Sequence, residues 1–536
     1  MGEECGVRMP YALKMGTELR ETSCQLRSGR LWMRALLGSA LLAAGSAALA
    51  QSPPSLQPAE RALEHELENG WRFLIYPRHE APTVSFETYV PVGAANDPAG
   101  MSGLSNLVKN LMFKGSSRIG TKNWGEEEPT LTAADEAHER WLSSQESGSP
   151  EEQSAALIAF DRACERAALW VDPEEFSRVL ERAGSDTSLN AYSDQDSTRF
   201  VVSLPSNQTE LWCWMEAERF RDPIFREFYV ERAALLEDWQ ARASADPDEL
   251  LGEKLRGAAY GDHPLGRASI GNFNEIGRLR REDAKLFFRA HYGPQQLVTV
   301  IAGDVDPDRL IPLLDRYFGQ VPASEQSTFS LPLIPKQTEE RRIEVPFDGQ
   351  PRLRIAWHVP PLAHPDSAAL EITIRLLGYA RSSRLEKRLK RSSGMLSELV
   401  ITHAWDGNRL QSLAQIRCTP TLNTTTKEIE LAIYNEMDKL AKNGPEAEEL
   451  AGVKRVATAD FYRSLRRNEA LTKGLASAWI MTGHWRHFFE WEQRLSAVQP
   501  REVQAVLRKW FLPANRTVAT LVSLEASPVG GQEQAK

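Results

Sequence analysis

The sequence predicts an α+β protein with two similar halves, each built on a mainly antiparallel sheet covered by helices. Three observations lead to this prediction. Strand-like runs alternate with amphipathic helical runs along the chain. Residues 322–341 are rich in Pro, Ser, Gln and charged side chains, which is typical of a linker. Beyond them the order of strands and helices begins again, as expected for a duplicated domain with helices on one face of each sheet.

The first half contains the most clearly patterned helix, at 102–113. Its apolar residues follow the spacing i, i+3, i+4 and i+7 and form one stripe: Leu104, Leu107, Val108 and Leu111. Ser102 is a suitable N-cap and Gly115 a suitable C-terminal stop. The other elements predicted in this half are strands at 71–76, 84–92 and 298–301, the end of a strand at 203–206, helices at 131–144, 150–170, 209–221 and 228–242, and the end of a helix at 287–292.

The second half repeats this alternation. Its predicted elements are strands at 353–359, 413–418 and 517–522, and helices at 366–377, 384–391, 426–443 and 446–467. Together these elements place one domain at 58–321 and a second at 342–524, with a tail at 525–536.

Composition excludes some classes of function. The chain has 536 residues with a formal net charge of -9, and it contains no basic cluster, so nucleic acid is not an expected partner. Hydrophobic residues make up 42% and charged residues 26%, which is ordinary for a globular protein that buries a sizeable core.

The N-terminal region 1–50 is typical of a secretory signal peptide. Arg27, Arg30 and Arg34 precede a short apolar run at 35–49, and small residues lead to an expected cleavage near Ala50. The run is too short and too rich in small residues for a good membrane span, which needs about 20 apolar residues. An uncleaved anchor remains the alternative.

One segment carries a resemblance to a known family. In the M16 metallopeptidases (pitrilysin, insulinase and the mitochondrial processing peptidases), an inverted zinc-binding helix reads Gly-Leu-x-His-x-x-Glu-His-x-x-Phe-Lys-Gly. Residues 103–115 resemble this frame, but Asn106, Lys109 and Asn110 stand at its His, Glu and His positions.

Other segments resemble the family in the same order along the chain. They are Leu189 to Tyr192 with Asp196, Glu231-Arg232 with Glu237-Asp238, His263 to Arg267, Tyr292 to Pro294, Gly303 to Asp306, Arg381 to Leu385, Gly444-Pro445 and Asn468-Glu469. The resemblance covers nearly the whole chain after residue 58. It implies the LuxS/MPP-like metallohydrolase fold, and it identifies 124–172 as a helical insertion similar to one in some bacterial members.

The substitutions remove the family's metal chemistry. In active members two histidines bind zinc, the Glu between them is the general base, and a later Glu completes the ligand set. The resemblance places Glu231 at the first Glu of the following helix and Asp238 at the third-ligand position. Amide side chains are weaker zinc ligands than imidazole, and a protonated amine at Lys109 cannot accept a proton. We therefore expect no cofactor and no metal at Asn106, Asn110 and Asp238.

Two interpretations of the polar triplet remain open. Asn106, Lys109 and Asn110 could be the solvated face of an amphipathic helix. Alternatively, Lys109 pairs with Asp238 or Glu231 and replaces the metal as a cross-link between two helices.

The second half also departs from the family pattern. Active members supply an Arg and, seven residues later, a Tyr that bind substrate. Lys390 and Ser397 stand at these positions in this chain. Both functional constellations are therefore degenerate.

Three hypotheses for function follow. The first is a non-catalytic subunit that pairs with an active M16 sister, or with a second copy, and encloses extended peptides. The second is a binding or scaffold protein of the cell envelope, and the third is an active zinc metalloendopeptidase with unusual ligands. The resemblance and the signal peptide together favour export to a periplasm.

Overall fold

The computed structural model describes residues 58–185, 190–324, 331–403 and 409–523. Within them lie a six-stranded sheet of order β1-β2-β6-β3-β5-β4 and a five-stranded sheet of order β7-β11-β8-β10-β9. The strands are β1 (Leu63–Glu66), β2 (Arg72–Pro77), β3 (Thr83–Val90), β4 (Asn190–Ser193), β5 (Thr198–Pro205), β6 (Val298–Gly303), β7 (Arg341–Phe347), β8 (Arg352–Val359), β9 (Leu396–His403), β10 (Ser412–Pro420) and β11 (Arg516–Ser523). Among these strands, β2 with β6 and β7 with β11 pair in parallel, and the other neighbours are antiparallel.

Helices surround both sheets. They are α1 (Leu104–Leu111), α2 (Trp124–Ser147), α3 (Pro150–Ala168), α4 (Glu175–Arg182), α5 (Thr209–Arg221), α6 (Phe228–Ala245), α7 (Pro247–Tyr260), α8 (Phe273–Ile276), α9 (Arg281–His291), α10 (Pro307–Phe318), α11 (Ser367–Ile374), α12 (Thr426–Asn443), α13 (Ala447–Ser464), α14 (Asn468–Thr482), α15 (His487–Ala497) and α16 (Pro500–Trp510). Two π-helical segments, Arg375–Tyr379 and Glu386–Ser392, follow α11. The α+β class, with two mainly antiparallel sheets covered by helices, is confirmed.

Each sheet buries one face against helices of its own half. In the first half this core joins β2, β3 and β5 to α1, α5 and α10, through residues that include Phe73, Phe86, Trp212 and Phe318. In the second half, Ile355 and Trp357 of β8 pack in the same way with Ile433 of α12 and Val503 of α16.

The opposite face of each sheet is covered by a helix from the other half. Leu471, Leu475 and Trp479 of α14 pack on the first sheet, against side chains such as Leu74 and Val300. Reciprocally, α7 of the first half packs on the second sheet; its residues Leu251, Leu255 and Ala259 meet Ala356, Leu413 and Leu521 there. The sequence predicted helices on only one face of each sheet. In the structure a helix exchanged from the other half covers the second face as well.

Polar contacts reinforce the exchange. Asp248 in the first turn of α7 accepts a hydrogen bond from Arg352 Nη1 at 2.5 Å. Nε2 of His358, in the second sheet, lies 3.0 Å from the carbonyl oxygen of Ala259 in α7. The backbone N–H of Arg409 donates to Asp196 of the first half at 2.7 Å. The two halves are therefore joined by both apolar and hydrogen-bonded contacts.

Several sequence expectations need correction. The strand ending at 206 begins at Thr198 and ends at Pro205. The helix predicted at 131–144 begins seven residues earlier, at Trp124. Helices α7 and α14 were not predicted at all. The predicted signal peptide, the tail at 525–536, Leu189 and residues 325–330 of the linker lie outside the described residues.

We expect Leu475→Ala to destabilise both halves. Leu475 is fully buried between α14 and the first sheet, so its truncation should lower the free energy of unfolding by about 2–5 kcal/mol. Urea unfolding measures the loss, and hydrogen exchange should quicken in β3 and β6 although the substitution lies in the other half. Leu431→Ala is the control, because Leu431 is 62% exposed on α12; its effect should stay within about 0.5 kcal/mol.

Candidate functional site

Helix α1 is fixed at its N-terminus by a buried carboxylate. Asp97 accepts hydrogen bonds from the backbone N–H groups of Gly103, at 2.7 Å, and Ser105, at 2.8 Å. Burial raises the pKa of Asp97 to about 7, although these two bonds and Arg267 oppose the rise. Gly103 has φ of 90°, and a Cβ there would lie 2.8 Å from the carbonyl oxygen of Ile270, so glycine is required.

The apolar stripe of α1 faces the first core, and the polar triplet faces a pocket. Leu104, Leu107, Val108 and Leu111 are buried. Asn106, Lys109 and Asn110 lie on the other side, where they line a cavity of about 220 Å³. Its remaining lining residues are Ser193 of β4, Ala234, Leu235, Asp238 and Arg242 of α6, and Ser269 and Ile270.

An arginine one helical turn away engages Asp238. Arg242 Nε donates to Asp238 Oδ1 at 3.0 Å, and Nη2 lies 3.0 Å from Oδ2. The guanidinium therefore holds both carboxylate oxygens in a fork. The side chain of Asp238 is 46% exposed and that of Arg242 is 47% exposed, so the ion pair contributes little to stability. It does, however, occupy both oxygens of the Asp238 carboxylate.

Lys109 does not form the predicted cross-link. In the described part of the chain, its amine lies within 4.0 Å of no carboxylate oxygen. Burial lowers the pKa of Lys109, and the nearby charge of Arg242 lowers it further, while Asp238 and Glu231 oppose the change. The hypothesis that Lys109 pairs with Asp238 or Glu231 is therefore wrong, because other cations already hold both carboxylates.

A neighbouring lysine makes the connection between the two helices. Lys114 Nζ lies 2.8 Å from Glu231 Oε1 and 3.0 Å from Glu227 Oε2. Burial tends to lower the pKa of Lys114, but the hydrogen bonds to Glu231 and Glu227 raise it overall. Lys114 is the lysine of the M16 frame, for which the sequence predicts no role; its position four residues after Asn110 was the available signal.

Comparison with known proteins gives the family. Residues 168–272 match the family model described as insulinase (peptidase family M16), and residues 278–456 match the model described as peptidase M16 inactive domain. The chain belongs to the M16 peptidase family. A zinc protease of Helicobacter pylori, PqqE, is 22% identical over 494 residues, which cover 90% of this chain and 98% of PqqE. An uncharacterized zinc protease of Mycobacterium bovis is 28% identical over 235 residues, 41% of this chain and 51% of that protein.

Solved structures share the fold. The crystal structure of a protease from Helicobacter pylori superposes with a TM-score of 0.71 at 20% identity, covering 86% of this chain and 99% of that chain. A peptidase M16 inactive domain from Pseudomonas fluorescens gives a TM-score of 0.68 at 15% identity, covering 86% and 98%.

The donor set does not fit the zinc ion that the M16 family implies. Within the described ranges, no group of three or more His, Cys, Asp or Glu side chains could hold a metal ion. The pocket offers two neutral amides, and its carboxylate is bonded to Arg242. The ammonium of Lys109 would also repel a dication. We derive no catalytic step through zinc.

The two candidate residues of the second half lie apart from this pocket. Lys390, 36% exposed, is in the second π-helical segment with Nζ 3.8 Å from Glu386 Oε1. Ser397 is the second residue of β9, and its hydroxyl donates to the carbonyl oxygen of Thr419 at 3.2 Å. Among the described residues, no hydrogen bond or ion pair joins either of them to the α1 pocket.

The helical hairpin of α2 and α3 supports the loop between α1 and α2. Arg226, fully buried, pairs with Glu127 of α2 with Nε 2.6 Å from Oε1. The same guanidinium donates to the carbonyl oxygens of Lys114, Ser116 and Ile119 at 2.5, 2.8 and 2.7 Å. One ion pair therefore connects the hairpin to the end of the M16 frame.

Further contacts place the rest of the hairpin. Asp135 of α2 lies 2.6 Å from Arg281 Nη2, and Glu139 lies 3.0 Å from Arg280 Nε. The buried ring of His138 lies 2.8 Å from Arg232 Nη1. Burial and the charge of Arg232 lower the pKa of His138 to about 3. Acidic side chains of α2 thus contact the arginines at the start of α9, and His138 of α2 contacts Arg232 of α6.

We expect Glu127→Ala to be strongly destabilising. It would leave the Arg226 guanidinium buried without its charge partner, at a cost of about 3–5 kcal/mol. Thermal and urea unfolding measure this cost. The control is Glu136→Ala on the same helix, since Glu136 and Arg140 form an exposed pair worth about 0.3–0.5 kcal/mol. Equal effects of the two substitutions would contradict the assigned role of Arg226.

Restoring the zinc motif should require removal of Arg242. The triple variant Asn106→His, Lys109→Glu, Asn110→His supplies two imidazoles, but Arg242 still holds Asp238. Adding Arg242→Ala frees the third ligand, and we expect zinc affinity to rise at least about tenfold, or 1.4 kcal/mol. Competitive titration with a chromogenic chelator measures it. Adding Arg309→Ala instead, at a residue 88% exposed, should leave the affinity of the triple variant unchanged.

Proposed function

We propose that this chain is a non-catalytic M16 subunit that pairs with an active M16 sister, or with a second copy, to enclose and bind extended peptides. The observation that carries the proposal is the pocket on α1. Asn106, Lys109 and Asn110 occupy the positions of the family's metal chemistry, and Asp238 is already bonded to Arg242. Such a pocket lacks the general base and the metal-ligand set with which active family members activate water.

Peptide binding is supported by the sheet edge beside the pocket. Strand β4 lies at the end of the first sheet and pairs on one side with β5. Its last residue, Ser193, lines the pocket. An extended peptide that adds to such an edge uses backbone hydrogen bonds, which need no catalytic side chain. Loss of the zinc chemistry therefore leaves this mode of binding available.

Pairing is supported by the lengths of longer structural neighbours. The alignment covers 87% of this chain but 48% of the periplasmic protease PqqL of Escherichia coli. It covers 86% of this chain and 44% of pitrilysin. The fold of this chain thus accounts for about half of each of those proteins, and a second subunit would supply the other half.

Location in the periplasm is also part of the proposal. It rests on the predicted signal peptide, with cleavage near Ala50, and on the printed description of the PqqL neighbour as periplasmic. None of the helices in the described part of the chain combines the length and hydrophobicity that a membrane span requires.

The test combines purification from the native host with metal analysis and peptide cleavage. We expect a co-eluting chain with an intact His-x-x-Glu-His motif, zinc in that partner only, and cleavage of a quenched peptide by the pair. Stoichiometric zinc and cleavage in this chain alone would instead establish the alternative of a metalloendopeptidase with unusual ligands. Absence of both partner and peptide binding would favour a scaffold of the cell envelope.

A further inference from the structure

The α1 pocket contains a cation whose charge nothing in its lining balances. Lys109 and Arg242 carry positive charges, and Asp238 is the acidic lining residue. Both oxygens of Asp238 contact Arg242, and the next nearby acid, Glu231, contacts Lys114. Lys109 is therefore left without an ion-pair partner among the described residues. An unpaired and largely desolvated ammonium attracts an anion, because pairing recovers part of the cost of its burial.

Neutral donors stand on either side of this ammonium. Asn106 and Asn110 are one helical turn apart with Lys109 between them, and all three line the cavity. Their side-chain amides bond to no other described residue, so each can turn an NH₂ group toward a ligand. An ionised carboxylate accepts at about four lone-pair positions. The ammonium balances the charge of a single carboxylate, and the two amides can donate to the lone pairs that the ammonium leaves free.

The cavity has the size and the access for such a group. Its volume of about 220 Å³ compares with about 30 Å³ per water molecule in the liquid. It therefore has room for an acidic side chain or a chain terminus. Ser193 of β4 forms part of its wall, so a peptide added to the β4 edge would pass beside it.

We infer that this pocket binds a carboxylate of the enclosed peptide, with Lys109 as the charge partner and Asn106 and Asn110 as hydrogen-bond donors. The carboxylate belongs either to an acidic side chain or to the C-terminus of the peptide. The inference rests on the proposed peptide-binding function and adds its substrate class. A position that serves zinc chemistry in the family would here select acidic peptides.

Fluorescence anisotropy with three dye-labelled peptides of one extended sequence tests this inference on the full-length protein. The first has a central Glu and an amidated C-terminus, the second has Gln and an amidated C-terminus, and the third has Gln and a free C-terminal carboxylate. We expect the first or the third to bind at least about tenfold more tightly than the second. Whichever of the two binds tightly identifies the source of the carboxylate.

Variants of the pocket provide the decisive comparison. Lys109→Met keeps most of the aliphatic side chain but removes its charge, and it should abolish the preference for the carboxylate-bearing peptide. Asn110→Asp adds a negative charge beside the Lys109 amine and should also abolish the preference for the carboxylate-bearing peptide. With two pocket variants, the test stays valid if one of them folds poorly. Lys427→Met, at an exposed lysine of α12, is the control and should keep the full preference.

The outcomes separate the inference from the proposed function. Equal binding of all three peptides, or a preference that survives both pocket variants, would overturn the carboxylate pocket but leave peptide binding intact. Failure of every peptide to bind, to this chain or to its complex, would overturn the proposed function itself and the inference with it.

Discussion

The exchange of α7 and α14 between the two halves is the contact on which the rest of the structure depends. Both sheets contain strands that are apolar on both faces, such as β2 and β8. The helices of one half cover only one of those faces, so each half alone would expose an apolar sheet face to water. Leu475 and Leu255 close these faces reciprocally. The linker therefore joins two halves that fold as one unit, and β4 and the pocket beside α1 stay at a fixed position within it.

The pocket keeps the framework of a metal site with a different charge balance. Side-chain cations contact the acids at the start of α6 and along it: Lys114 contacts Glu227 and Glu231, and Arg242 contacts Asp238. Only the second pair is local, because Arg242 lies one turn after Asp238 on α6. Lys114 lies just beyond α1 and reaches its partners from a distant part of the chain. Lys109 is the cation of this pocket that has no ion-pair partner among the described residues, so the pocket favours an anion over a metal cation. The buried ion pair of Arg226 and Glu127 holds the loop that follows α1. The M16 frame therefore keeps its geometry, although other residues stand at its functional positions.

Sequence periodicity predicted many of the elements that pack within their own half, although not α4, α10 or α16, and it missed both helices that cross to the other half. Helix α1 was predicted because its apolar residues form one regular stripe and the rest are polar. Helix α7 contains Gly252 and Gly257, which weaken a helix prediction. Helix α14 buries residues on more than one side, including Leu471, Ala476 and Met481, so it shows no single stripe. In both cases the missing information was the identity of the packing partner.

The sequence by itself determined the family frame, the α+β class and four of the residues that line the α1 pocket, Asn106, Lys109, Asn110 and Asp238, because motif order and local periodicity can be read along the chain. Only the tertiary structure decided how the charges pair. From the sequence alone, Lys109, Lys114 and Arg242 are all plausible ion-pair partners for Asp238 and Glu231. Which of them pair depends on distances of a few ångströms between the side chains of α1 and α6. The reciprocal helix exchange was decided there too, since a sheet face gives no local signal of which distant helix will cover it.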